Sequence, residues 1–317
     1  MDNRPVVQEF ITGEFWSKEY ADRVTDDFTV LFTNAPPGMP QFFEGAALKI
    51  CAHWLRRTVK NWKVTVDEAY NVKGDDLVWL VGSCSADTFW GNVEGAFASK
   101  IIVKARVKDG KLSHMRLMLD PLAFHRAAKI KYPIFPVDLW DPSVEAFLEQ
   151  QRNAPAPAVP TELDMSPEAI AARIDAMLDC FRDKKCFAPL AEVEYSPEYV
   201  GDVWFLPPQV CGPHSPEKLE RMEAWSAVSC TVKGEDIWCH STEYALEEDS
   251  KLFFVELEGL GKVAWVGNEE SGYYRNQYVL RLSVDDAGRF ASMIEMLNPI
   301  NKYNSINTSV PTFPYCF

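Results

Sequence analysis

Basic residues are scarce in this chain: 32 Lys and Arg stand against 46 Asp and Glu, leaving a formal net charge of −14. Such a surface repels phosphate backbones and anionic lipid, so no nucleic-acid or membrane-surface partner is expected. No apolar run is long enough to span a bilayer, and no basic segment followed by an apolar stretch opens the chain, which makes a cytoplasmic protein the expectation. Histidine is rare, with five residues and no His-x-x-x-His pair, and the eight cysteines include no Cys-x-x-Cys. A glycine-rich phosphate loop and a Gly-x-Ser-x-Gly elbow are both missing. Metal, nucleotide and serine-nucleophile chemistry therefore have no foothold, and no cofactor is implied. The scattered cysteines read as reduced thiols rather than a disulfide framework.

What the chain does have is a phrase that occurs twice. Asp120-Pro121 is followed twelve residues later by Pro133-Ile134-Phe135-Pro136, and Asn298-Pro299 twelve residues later by Pro311-Thr312-Phe313-Pro314. Both halves of the phrase recur at a spacing of 178 residues. A repeat this long is a whole domain, so the chain reads as a tandem duplication. The match continues upstream: the helical stretch Ala47 to Val59 carries Trp54-Leu55 where Leu219 to Val228 carries Trp225-Ser226, and the strand Asp76 to Val81 answers Ser250 to Val255. Residues 1–150 are expected to form the first domain, 151–164 a Pro/Ala-rich semi-rigid spacer, and 165–317 the second domain. With 47% hydrophobic and 13% aromatic residues, two cores of ordinary size can be buried.

In the second copy, Ser166 is a helix N-cap with Pro167 at the first helical position, and Ile170, Ile174, Met177, Leu178 and Phe181 follow at helical spacing. A second helix spans about Pro216 to Val228, with Leu219, Met222 and Ser226 on one face. Strands are expected over Lys251 to Leu257, Lys262 to Val266, Tyr273 to Val284 and Arg289 to Leu297, the last two joined by the turn Asp285-Asp286-Ala287-Gly288. Helices first and a strongly curved antiparallel sheet after make an α+β cone.

That order and its residues resemble the phenazine-biosynthesis PhzA/PhzB family of the nuclear transport factor 2-like (SnoaL-like) superfamily. The pieces that carry the resemblance are Gly272 to Tyr278, the Asp-Asp-Ala-Gly turn, Ile294 to Asn298 and the Pro-rich tail. In copy one they are Val107 to Lys111, Arg116, Asp120-Pro121 and the same tail. The resemblance implies two tandem cone-shaped domains paired as an intramolecular pseudo-dimer, so that the chain is a monomer or a dimer of such units. It implies acid/base catalysis on a small cyclic amino/keto acid-like substrate of secondary metabolism, by condensation, isomerisation, dehydration or cyclisation. A non-catalytic small-molecule binding or scaffold protein of the same pathway is the alternative.

Carried over position by position, the family's acid/base glutamate falls on Glu295, its pocket tyrosine on Tyr273 and its helix serine on Ser226. Met222, Trp225, Met293, Asn276 and Tyr278 are the expected substrate-binding residues. Met222 stands where more active members have histidine. Glu295 has Met293 and Leu297 on its own strand face, so a raised pKa in an apolar cavity is expected. In copy one the corresponding positions hold Leu117, Leu55, Cys51, and Ala96 or Phe97. Period-2 alternation turns Ser113, Met115, Leu117 and Leu119 inward, as core or as a greasy pocket, and His114 and Arg116 outward. Cys51 reads as a small hydrophobe, not a nucleophile. Only the second cone is expected to bind ligand.

Overall fold

The computed structural model describes residues 2–14, 16–153, 164, 166, 168–175, 195–205, 212–213, 216–229, 238–245, 251–263 and 272–315. They contain two six-stranded sheets with one and the same strand order. The first holds β1 (Val24–Phe32), β2 (Phe42–Glu44), β3 (Val59–Asn71), β4 (Leu77–Trp90), β5 (Val93–Lys108) and β6 (Lys111–Leu119), in the order β2-β1-β6-β5-β4-β3. The second holds β7 (Tyr195–Trp204), β8 (Gly212–Pro213), β9 (Trp238–Ala245), β10 (Leu252–Val263), β11 (Gly272–Val284) and β12 (Phe290–Leu297), in the order β8-β7-β12-β11-β10-β9. Every neighbouring pair is antiparallel except β1 with β6 and β7 with β12. Both copies are the expected α+β cones.

The helix-first, sheet-after order does not hold. In copy one, β1 and β2 precede the helix α2 (Gly45–Thr58), and β1 pairs in parallel with the last strand. A parallel pair needs a crossover, so the two strands are remote in sequence and no hairpin signal marks them. In copy two the expected strands at Lys251 to Leu257 and Lys262 to Val266 merge into one. β10 pairs with β11 without interruption from Leu252 opposite Ser283 to Val263 opposite Gly272. Residues 264–266 lie outside the described residues.

Helix α1 (Arg4–Thr12) lays Val7, Phe10 and Ile11 into the first core at i, i+3 and i+4. Its counterpart in copy two is a helix over 168–175, here α5, which follows α2, α3 (Pro121–Ala127) and α4 (Pro142–Arg152) in the chain. The Oγ of Ser166 accepts the Ala169 N–H at 3.3 Å, the expected cap, and Ile170 and Ile174 are fully buried against Phe253, Val255, Leu280 and Leu282. Met177, Leu178 and Phe181 lie outside the described residues. The helix α6 spans Pro216–Ser229, matching α2 in length and place.

The repeated phrase has a physical meaning. Asp120 and Asn298 are N-caps, their Oδ1 atoms accepting the N–H of Leu122 at 2.9 Å and of Ile300 at 3.0 Å, with proline next in line. The helices they start are α3 and α7 (Pro299–Ser305). Each ends against a glycine: a Cβ on Gly95 would lie 1.8 Å from the carbonyl oxygen of Ala127, and one on Gly272 would lie 1.7 Å from that of Ser305. Glycine is demanded at both places by this approach of helix to strand.

The compact units do not follow the repeat boundary. Residues up to Pro133 form the first unit together with 310–317, and the second begins at Ile134 and ends at Ser309. Each copy's Pro-x-Phe-Pro tail thus belongs to the other copy's unit. In the first unit Phe313 packs on Trp90 (5.1 Å between ring centroids), Phe124 (5.5 Å) and Trp54 (6.3 Å), while His125 Nε2 meets the carbonyl of Pro311 at 2.6 Å. In the second unit Phe135 packs on Tyr303 (5.5 Å) and Trp225 (6.4 Å). The helix α4, most of which falls within the residues expected to form the first domain, also belongs to the second unit: Arg221 of α6 stacks on Trp140 (3.9 Å) and pairs with Glu145 (2.9 Å). Of the expected spacer, residues 154–163 lie outside the described residues.

Candidate functional site

β12 runs between β7 and β11, so its side chains on the concave face are covered from both flanks. Glu295 is one of them. Its register partners are Leu280 on β11 and Val203 on β7, both apolar, and Met293 precedes it on the same face. No hydrogen bond to its carboxyl is found among the described residues. Burial pushes its pKa above the ordinary 4.5, with the charge of Lys302 on α7 pulling weakly the other way. A carboxyl in this setting holds its proton to higher pH than a solvated one.

Tyr273 is not in the cone. β11 alternates strictly, with Gly272, Tyr274, Asn276 and Tyr278 buried and Tyr273, Arg275 and Gln277 exposed, and Tyr273 is 61% exposed. The residue that faces inward is its neighbour Tyr274. A one-residue shift in a strand reverses the face, and the uncertainty between Ala96 and Phe97 in copy one was the same shift. The Tyr274 hydroxyl lies 2.5 Å from that of Tyr278 and accepts from Nδ2 of Asn276 at 2.9 Å. Asn276 itself is saturated: its amide also donates to the Asn298 carbonyl (3.0 Å), and its Oδ1 accepts the N–H groups of Gln277 (3.0 Å) and Asn298 (3.1 Å). It latches β11 to the cap of α7 and has no group left for a substrate. Tyr278 is inward and shares that network.

On α6, Met222 and Trp225 are buried, and the indole of Trp225 meets the tail ring of Phe135 edge to face. Trp225 therefore supports the tail. Met293 is half-buried against the core of the second unit. Ser226 lies within α6, and its side chain is outside the described residues.

The first unit answers the comparison between copies. Its concave face holds a cavity of about 750 Å³, and Cys51, Leu55, Phe97 and Leu117 all line it. These are the counterparts of Met222, Ser226, the inward tyrosine and Glu295. Ala96 does not line it, which settles the tyrosine register in both copies. Of the two readings, the greasy pocket holds for Leu117 and Leu119, which line the cavity, and core for Met115, which lies in the hydrophobic cluster and not on the cavity. Ser113 is displaced by a bulge at the start of β6, and Leu112 continues the inward row instead. His114 and Arg116 face outward, bonded to Thr29 (2.7 Å) and Thr33 (2.7 Å). Burial lifts the Cys51 thiol to about 11, so it is protonated and inert at neutral pH.

The missed features are Tyr274 and the openness of the first cone. Strict period-2 counting from the Tyr278 to Val284 run would have found the former; nothing in the sequence separates an apolar pocket from an apolar core.

Residues 210–314 match the family described as phenazine biosynthesis protein A/B. No curated protein matches the chain. Among solved structures, a phenazine biosynthesis-related protein (PhzB2) of Pseudomonas aeruginosa is 15% identical over 43% of this chain and 90% of its own, with a TM-score of 0.39. PrhC of Penicillium brasilianum is 12% identical over 40% and 91%, with a TM-score of 0.34. A nuclear transport factor 2-like protein of Burkholderia xenovorans is 19% identical over 39% and 94%, with a TM-score of 0.31. Among the described residues no helix is long and apolar enough to cross a membrane.

Proposed function

We propose that the second repeat is a cofactor-independent acid/base site of secondary metabolism that works on a small cyclic amino/keto acid-like compound, with Glu295 as the group that moves the proton. The observation that carries this reading is the Glu295 carboxyl: buried on the concave face of a central strand, unbonded among the described residues, and raised in pKa by its burial among apolar flanks. The match of residues 210–314 to the PhzA/PhzB family supports it. In its protonated form the carboxyl donates to a carbonyl oxygen or imine nitrogen; as carboxylate it then takes a proton from the adjacent carbon, giving the enol or enamine and restoring the acid. Such a cycle serves isomerisation, dehydration or condensation alike.

Exchange of the ring protons of 3-oxocyclohexanecarboxylate with deuterium, followed by NMR, reads this step directly. Glu295→Gln keeps the shape, loses the exchangeable proton chemistry, and should slow exchange about 10²-fold in a folded protein. Undiminished exchange by that variant would sink the assignment. The alternative, a binding or scaffold protein without catalysis, draws on Met222 at the position where the family resemblance implies histidine, and on a first cone with no acid or base inside. It requires that the wild-type chain show no exchange above buffer.

A further inference from the structure

We propose that the cavity of the first unit is a second binding site, for a neutral and largely aromatic small molecule, chemically distinct from the Glu295 site and independent of it. Its size, about 750 Å³, lies in the range of small-molecule pockets. Its walls are aromatic: Trp90 stacks on Phe124 at 5.2 Å and meets Phe97 edge to face at 5.7 Å, and Trp16 meets Trp62 at 5.4 Å.

Most polar groups of the lining are spent or stand at the rim, and the two that are buried without a partner among the described residues, the Ser17 hydroxyl and the Trp90 indole N–H, are neutral. The Thr88 hydroxyl donates to the Gly95 carbonyl at 3.0 Å, and Arg56 donates to the Trp16 carbonyl at 2.9 Å. Asp26 and Lys49 are exposed, at the mouth. At the position equivalent to Glu295 stands Leu117. A charged guest would surrender its hydration to walls that are almost wholly apolar, whereas a neutral ring system exchanges water for ring-edge and ring-face contacts. The first copy thus holds an open cavity with a leucine at the position of Glu295.

The test uses the full chain and two probes that share one ring frame: N-phenyl-1-naphthylamine, which is neutral, and 1-anilinonaphthalene-8-sulfonate, which carries a sulfonate. Fluorescence titration should show saturable binding of the neutral probe, with the sulfonate at least tenfold weaker. Ala52→Trp, on a half-buried helix position of the lining, and Ala86→Phe, on β4, should each weaken the neutral probe at least tenfold while far-ultraviolet circular dichroism stays unchanged. Ala52→Trp tolerates the larger side chain at the solvent edge, so it serves if Ala86→Phe does not fold. Glu295→Gln should leave the probe's affinity as it was. Equal affinity for the two probes, no saturable binding, binding that survives the filling variants, or loss of binding in Glu295→Gln would each overturn the proposal.

Discussion

Phe313→Ala tests the exchange of tails at its most buried point. The ring is 1% exposed and sits among Trp54, Trp90, Phe124 and His125, all of the first unit, although the residue lies at the end of the second copy. Truncating a buried Phe to Ala costs about 3–5 kcal/mol, through lost transfer energy and the hole left behind. Edge-to-face partners add to that burial. A loss of about 4 kcal/mol is therefore expected. The backbone N–H of Phe313 donates to the Pro37 carbonyl at 2.7 Å and survives the change, so the tail keeps its course and the loss reports the ring. With each ~1.4 kcal/mol worth a factor of ten, slowly exchanging amides of β4 and β5 should exchange about 10²- to 10³-fold faster. Those of β11 and β12, in the second unit, should hardly change. Hydrogen-exchange mass spectrometry resolves the two sets of peptides. Acceleration in β11 and β12 without any in β4 and β5 would refute the assignment of this tail to the first unit.

The same exchange sets where the second copy must be cut. A fragment starting near Met165 leaves behind Phe135, Trp140 and Glu145, which pack on Tyr303, Trp225 and Arg221, so it should melt at lower temperature and self-associate in sedimentation more than one starting at Ile134; equal behaviour of the two fragments would count against the unit boundary. Glu295 predicts a pH dependence of definite sign. Its folded pKa is raised above 4.5, so its contribution to stability is fully present below pH 4.5 and is lost as pH rises through the folded value. Chemical denaturation should therefore find Glu295→Gln gaining on the wild type as pH rises above 4.5, and a difference that is flat with pH would show the carboxyl to be solvated.

Much of this protein could be read along the chain. The duplication was written in two capped phrases whose Asp-Pro and Asn-Pro begin helices by local chemistry, and Ser166, Ile170 and Ile174 announced a helix and its buried face. Glu295 was legible because a charged residue between Met293 and Leu297 breaks an apolar row, and strand alternation is a local rule. Other features depended on partners remote in sequence. The strands β1 and β2 carry no hairpin signal because β1 pairs with β6, more than eighty residues on in the chain. The outward face of Tyr273 turns on a single residue of register, which the continuous pairing of β11 with β10 fixes. Which unit a tail completes, and whether the apolar face around Leu117 closes into core or stays open as a cavity, has no local signature at all. The same Phe, Trp and Leu side chains serve either outcome, and the distance that the surrounding helix and sheet hold between them, a property of the packed whole, decides which one occurs.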